Sequence, residues 1–252
     1  MKRSLTIGLL LVMAALTLLA AETKPPVTIT WFGQACMLIT TPENTRILID
    51  PVAIGDYKVP ESVTPDVITV SHNHQDHNAV GTVGGDAPIL WGKTREEIDP
   101  KQMIISIDTT IAGVHIYNVS SLHHPPDESP TLNAIFVYEF DNIRIVHLGD
   151  LGTTLNEEQL AKIGRADVVM IPVGGKYTIF GVTADSVIAQ LKPSRAVIPM
   201  HFRTRVADFL PYTGADFVKD KVNVDRIKGN EYSFDPNETP DKLQYVLFEC
   251  FD

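Results

Sequence analysis

Residues 72–77 read His72-Asn73-His74-Gln75-Asp76-His77, three imidazoles and one carboxylate in a single short run. Imidazole nitrogen and carboxylate oxygen are the donors that borderline divalent ions such as zinc accept. The run follows directly on Val67–Val70, an apolar, β-branched segment suited to a buried strand. In extended backbone, residues two apart leave on the same side, so His72 and His74 can converge on one ion. Asp76 and His77 are adjacent, which predicts that they diverge and serve a second ion. Asp76 also has N-cap chemistry and is expected to turn the chain into a helix over Asn78–Val80. A lone histidine is more often solvated or packed than a ligand, but a cluster of His and Asp reads as a site.

Three later segments repeat the arrangement, each an apolar run ending in a ligand-type residue. Ile116–Leu122 ends at His123-His124, Ile143–Leu148 at Gly149-Asp150, and Ala196–Met200 at His201. If these strand ends share one edge of the fold, their side chains meet at one mouth. The candidate metal-binding residues are therefore His72, His74, Asp76, His77, His123, Asp150 and His201. His147 lies inside a strand-like run and reads as a packed residue or as support for a ligand; His115 reads as structural.

The elements that must position these residues are legible in outline. Val27–Phe32, Cys36–Thr40 and Thr45–Asp50 are strand-like and separated by Gly33-Gln34 and Pro42-Glu43-Asn44, which predicts an antiparallel meander. Ile89–Trp91 and Met103–Ile107 suggest further short strands. Ala134–Phe140 and Ile143–Leu148 flank Asp141-Asn142, a hairpin turn. Asn156 and Gln159 have capping-box spacing, Leu155 and Leu160 staple spacing, and Gly164 ends the helix. Val168–Val173 is a buried strand, Thr183 caps a second helix running to about Leu191 before Pro193, and Leu243–Phe248 is the last strand. Gly174-Gly175 would let backbone approach a site closely. Lys176, Tyr177 and Thr178 follow it as candidate substrate contacts. A strand-rich first part followed by alternating strands and helices predicts an α+β fold of two packed sheets with helices outside.

The chain has 252 residues, and its 44% hydrophobic content is enough for one sizeable core rather than a disordered chain. Met1-Lys2-Arg3, the apolar run Leu5–Leu19 and Ala20-Ala21 have the form of a secretory signal. The expected organisation is a signal peptide over 1–21 and one folded domain over 22–252, exported to the periplasm or outside the cell. The apolar run is short for a membrane span, which needs about 20 residues. The net charge is −10 and becomes more negative once Lys2 and Arg3 are removed. No run of Lys and Arg offsets it, which argues against a nucleic-acid partner. Cys36 and Cys250 lack zinc-knuckle spacing and are expected to be buried thiols in apolar strands, although export would permit a disulfide.

The His72-x-His74-x-Asp76-His77 segment resembles the HxHxDH signature of the metallo-β-lactamase superfamily. Thr30-Trp31-Phe32-Gly33-Gln34-Ala35, His147-Leu148-Gly149-Asp150-Leu151-Gly152, Pro172-Val173-Gly174-Gly175-Lys176-Tyr177-Thr178 and Ile198-Pro199-Met200-His201 are similar to the branch that includes ascorbate-6-phosphate lactonase and the N-acylphosphatidylethanolamine phospholipase D. The resemblance implies an αββα sandwich of two mixed sheets with helices on the outer faces. It also implies a first metal held by His72, His74 and His123, a second held by Asp76, His77 and His201, and Asp150 bridging both. Two positions depart from the pattern. Gln34 stands where a His is common, and His124 stands where an Asp is common; His123 is the ligand expected, because it falls at the strand end.

Two close divalent ions, Zn or alternatively Mn or Fe, would share a water and lower its pKa, making hydroxide available near neutral pH. Asp76 is expected to orient that nucleophile and to help pass a proton to the leaving group. The reading is a metal-dependent hydrolase cleaving an ester, lactone, amide or phosphodiester of a small-molecule or lipid-like substrate. The competing readings are an exported metal-binding protein without hydrolytic activity, a β-lactamase, and a di-iron redox protein. The last usually carries a Glu where His74-x-Asp76 stands, or a flavin domain, and this chain has neither.

Overall fold

Apolar side chains alternate along the opening strands, and the alternation divides them between two cores. The computed structural model describes residues 25–94, 103–124 and 131–251; the expected signal segment 1–21 lies outside the described residues. Strands β1 (Val27–Gly33), β2 (Cys36–Thr40) and β3 (Arg46–Ile49) form the antiparallel meander. Ile29, Trp31, Met37, Ile39 and Ile47 enter the main core between the sheets, whereas Cys36, Leu38 and Leu48 enter a second cluster on the other face. A period of two requires this division.

A small ribbon of β4 (Ala53–Ile54) and β5 (Tyr57–Lys58) follows, then β6 (Val67–Val70) parallel to β3 and β7 (Ile89–Trp91) parallel to β6. Next come β8 (Asp108–Ile111), β9 (Val114–Leu122), β10 (Leu132–Phe140) and β11 (Ile143–His147), in which β9, β10 and β11 each pair antiparallel with the strand before. The chain then alternates through α1 (Glu157–Ile163), β12 (Val168–Pro172), α2 (Gly181–Leu191), β13 (Ala196–Met200) and α3 (Gly214–Val218). It closes with β14 (Val224–Ile227), β15 (Glu231–Phe234) and β16 (Gln244–Phe248).

Two mixed sheets result, of order β15-β1-β2-β3-β6-β7 and β14-β16-β13-β12-β11-β10-β9-β8. This is the α+β sandwich expected. β6, β12 and β13, all in parallel pairings, are buried at every residue, as strands covered on both faces must be. α1 packs on β9, α2 on β12, and α3 on β13 and β16, so these helices cover the larger sheet. The second cluster closes the outer face of the smaller sheet with Val80 and Val83 from one loop and Ala207 and Leu210 from another.

Local signals held where chemistry fixed the backbone. Asn156 and Gln159 make the reciprocal capping box, and Gly164 ends α1. Asp141 and Asn142 both take positive φ in the hairpin turn. Elsewhere packing overrode them. α2 begins at Gly181 with Phe180 as N-cap, so Thr183 lies inside the helix. Asp76 starts no α-helix; it lies in a turn over 75–77, and a 3-10 turn over Val80–Thr82 follows with Ala79 as its N-cap. Residues 103–107 contribute only a bridge from Ile104 to Lys93, and the strand forms at β8 instead. Cys36 is buried and Cys250 half-buried, and they are not joined. Burial pushes the Cys36 thiol well up. No helix among the described residues is long and apolar enough to cross a membrane.

Gly152 illustrates how tightly the loops behind the strand ends are packed. Its amide donates to the Leu122 carbonyl at 2.8 Å, and a Cβ there would run into the His123 carbonyl oxygen. Gly152→Ala is expected to destabilise the protein by about 1–3 kcal/mol, the usual cost of overpacking. Thermal denaturation checks this as a fall in Tm of several degrees.

Candidate metal centre

In open sheets, ligands gather beyond the carboxyl ends of parallel strands. β9 and β11 both run antiparallel to β10 between them, so they share a direction, and β12 and β13 continue parallel to β11. His123, Asp150 and His201 therefore leave the larger sheet at one edge. The loop after β6 brings Ser71–His77 to the same edge from the smaller sheet.

The convergence is close. Donor atoms of His72, His74, His123 and Asp150 lie within 4.8 Å of one another, and so do those of Asp76, His77 and His201. Asp150 Oδ2 lies 3.2 Å from His123 Nε2, 3.3 Å from both His77 Nε2 and His201 Nε2, and 3.8 Å from His72 Nε2. His72 Nε2 and His74 Nδ1 are 3.0 Å apart. Asp76 and His77 do not diverge: Asp76 Oδ2 lies 3.5 Å from His77 Nε2. The His77 amide bonds to the His74 carbonyl, and this turn curls the two side chains together.

Buried hydrogen bonds fix which nitrogen each ring presents. Asp50 accepts from the Ser71 amide at 2.7 Å, from Ser71 Oγ at 2.6 Å and from His77 Nδ1 at 2.9 Å. With its proton given to Asp50, Ser71 Oγ accepts from His72 Nδ1 at 2.9 Å. Both rings are thus held with Nδ1 toward its buried support and Nε2 toward the centre. Asn133 fixes Asp150 in a similar way. Its Oδ1 accepts from the Asp150 amide at 3.0 Å, and its Nδ2 donates to Leu148 O and Ser121 Oγ. His147 is buried and neutral, because burial lowers its pKa. It donates through Nε2 to Ala35 O at 2.8 Å and accepts from the Gly149 amide at Nδ1.

The electrostatics suit ionised carboxylates among imidazoles. Burial alone raises Asp150 and Asp76, but the surrounding histidines hold both well below the usual range, chiefly His201 and His77 for Asp150 and His77 for Asp76. Burial lowers His72, aided by repulsion from His77. Burial and then His123 bring His74 down to about 4. Burial also opposes charge on His77 and His201, yet attraction to Asp150 and further contact with Asp76 outweigh it and raise both.

The donor set fits divalent ions. His77 Nε2, both ring nitrogens of His123, His201 Nδ1 and Asp150 Oδ1 are buried without a hydrogen-bond partner. Each such orphan costs about 1–3 kcal/mol, and nitrogen and oxygen donors left together are what a borderline cation satisfies.

All seven candidate residues thus meet at one centre. His124 stays beside it, with its ring 4.4 Å from that of His123, and lines the cleft above. That cleft has a volume of about 430 Å³. Of the three candidate substrate contacts, Tyr177 lines it. Thr178 is buried, and the Lys176 ammonium lies over the Tyr177 ring. His115 bridges Asp108 and Glu139 at 2.8 Å each, consistent with a structural residue.

Four supporting residues escaped the sequence reading: Gln34, Asp50, Ser71 and Asn133. Gln34 Nε2 donates to Asp76 Oδ2 at 3.0 Å and lies 3.5 Å from His201 Nε2. The main-chain carbonyl of Gln34 accepts from the His201 amide and from the Trp31 indole. Asp50 ends an apolar strand-like run just as Asp150 does, and that signal could have found it. Gln34, Asp50 and His201 all take left-handed φ, 48°, 45° and 48°, a strained conformation for non-glycine residues that gathers at functional sites.

Residues 28–201 match the family described as Beta-lactamase superfamily domain. A UPF0173 metal-dependent hydrolase of Thermoplasma volcanium is 31% identical over 191 residues, which is 71% of this chain and 84% of that protein. One from Methanoregula boonei is 28% identical over 191 residues, 70% of this chain and 82% of its own. The crystal structure of a Thermotoga maritima protein, described as a Zn-dependent hydrolase of the metallo-β-lactamase superfamily, aligns with a TM-score of 0.70 at 33% identity. It covers 88% of this chain and 98% of that one.

Asp50 touches no substrate space but orients His77 and, through Ser71, His72. Asp50→Asn is expected to weaken metal binding about 10–100-fold, the usual effect of losing such a partner. Metal-ion titration followed by calorimetry checks this, with circular dichroism to confirm that the fold persists.

Proposed function

Because the chain belongs to the metallo-β-lactamase superfamily and is a metal-dependent hydrolase, we propose that its activity resides in a two-ion centre at the strand ends. In this reading His72, His74 and His123 hold one ion, Asp76, His77 and His201 hold the other, and Asp150 contacts both. The observation that carries it is the position of Asp150 Oδ2, within 3.8 Å of imidazoles from His72, His77, His123 and His201. The nitrogen-rich donor set favours zinc.

Divalent ions at such a centre supply Lewis acidity and make hydroxide available near neutral pH. The remaining work falls to the chain. Asp76 is held ionised by His77 and His201, and its side chain is still about a quarter exposed toward the cleft. It orients the attacking water and later delivers the proton to the leaving atom. Gln34 fixes the Asp76 carboxylate by its amide hydrogen bond. In a carboxylic ester or amide, the water oxygen bonds to the acyl carbon and the bond from that carbon to the leaving oxygen or nitrogen breaks. The leaving atom takes the proton. Burial of the floor keeps bulk water from screening these interactions.

The open cleft favours this reading over a metal carrier, since structural and storage sites close their coordination whereas catalytic sites keep a position accessible. Export of the domain after removal of residues 1–21 belongs to the same proposal.

Chelation followed by dialysis is expected to abolish hydrolysis, and zinc or manganese to restore it. His72→Ala and Asp150→Ala are expected to lose both activity and bound metal. Asp76→Asn is expected to lower kcat by roughly 100–10,000-fold, the usual contribution of general acid–base catalysis. A substrate panel of esters, lactones, amides, phosphodiesters and a chromogenic cephalosporin, run beside elemental analysis, tests the reading. Full activity in metal-free protein overturns it.

A further inference from the structure

The cleft has a polar floor and an apolar side. Ile54, Tyr177 and Phe209 line it together with His74, Asp76 and Asp150. The Tyr177 and Phe209 rings lie 6.2 Å apart, tilted by 60°, and are 40% and 48% exposed. Phe180 and Tyr212 form a neighbouring edge-to-face pair, 5.9 Å apart. Of the nine large hydrophobic side chains exposed among the described residues, Tyr177 and Phe209 line this cleft, while Phe180, Val182 and Tyr212 line a separate pocket. Exposed apolar surface is unfavourable, and its concentration beside a cleft is a mark of ligand recognition.

The rim is fixed in place. Tyr212 N donates to Gly174 O, Gly174 N to His201 O, and Tyr177 N to Gly175 O. Both aromatic segments are therefore tied to the turn beside His201. Phe209 is exposed although Ala207 and Leu210 on either side of it are buried in the second core. The backbone thus presents this ring to the cleft from an anchored segment.

Charge narrows the substrate further. No Lys or Arg is among the described residues lining the cleft, whose charged members are Asp76 and Asp150. The nearby Lys176 ammonium sits 4.8 Å from the Tyr177 ring centroid rather than in the lining. Among the described lining residues, an anionic group away from the metal centre would meet no side-chain cation.

We propose that Ile54, Tyr177 and Phe209 are the specificity wall of the cleft, and that the substrate is an uncharged carboxylic ester or amide carrying an aromatic or compact apolar group. This rests on the hydrolase reading above and names its substrate class. The bond cleaved is the acyl–oxygen or acyl–nitrogen bond, with water supplying the oxygen to the acid and the proton to the departing alcohol or amine.

The test uses zinc-loaded full-length protein with phenyl acetate, ethyl acetate and bis(4-nitrophenyl) phosphate, followed by pH-stat and absorbance. Comparing each variant with wild type cancels the intrinsic reactivity of each substrate. Phe209→Ala is expected to cut kcat/KM for phenyl acetate about tenfold, and by at least fivefold more than for ethyl acetate. Phe209→Leu is expected to recover much of the loss, metal content is expected to stay at the wild-type level in both variants, and exposed Val222→Ala is expected to change neither ester. Equal losses on both esters, no loss on either, or a phosphodiester turned over far faster than both esters overturns the proposal while metal-dependent hydrolysis still stands. Hydrolysis that survives chelation overturns the two-ion reading and the wall with it, whereas no turnover of either ester overturns the wall alone.

Discussion

A buried carboxylate needs positive or hydrogen-bonding partners, and Asp150 is the buried carboxylate around which this structure is arranged. It is 2% exposed, and leaving it alone in the interior would cost several kcal/mol. Four imidazoles drawn from the loops after β6, β9 and β13 surround it. Their attraction outweighs desolvation and keeps it ionised. The same imidazoles retain donor atoms that no protein group satisfies. The cluster is thus balanced in charge yet incomplete in bonding, which is the condition a resident cation resolves.

That cluster can be held only by parts that do not yield. The ligand-type side chains follow the ends of strands that pack into the core, two of which, β6 and β13, are buried at every residue, and their immediate supports include the buried, hydrogen-bonded Asp50, Ser71 and Asn133. Asp50 ties Ser71 and His77 together across 21 and 27 residues of sequence. Asn133 joins β10 to the turn that carries Asp150. His147 links the end of β11 to the Gln34-Ala35 turn. Removing one partner in such a network exposes another to desolvation, so these residues are as constrained as the ligands they support.

The cleft divides its labour between two kinds of element. Its floor comes from strand ends and is polar; its apolar side comes from β4 and from loop residues 177 and 209. Rigid strands fix the chemistry to within a fraction of an ångström, while loops can vary without disturbing the core. The left-handed backbone at Gln34, Asp50 and His201 marks the boundary between the two, where the chain leaves a strand sharply enough to turn a side chain inward.

Much of this was written in the chain itself. A buried strand is predominantly apolar, so Val67–Val70, Ile143–Leu148 and Ala196–Met200 announced themselves, and so did the His and Asp that follow them. Capping chemistry is equally local, which is why Asn156, Gln159 and Gly164 could be read directly. The tertiary structure decided what no local rule contains. Asp76 and His77 share one side of the centre because a turn curls them together, not because of their spacing. Gln34 and Asp50 belong to the site because sheet packing brings residues far apart in sequence into hydrogen-bond contact, and Phe209 and Tyr177 form one wall because two loops are tied to the turn beside His201. Local sequence fixes backbone preference and burial within a few residues; which side chains meet across the gap between sheets depends on the packing of the whole chain.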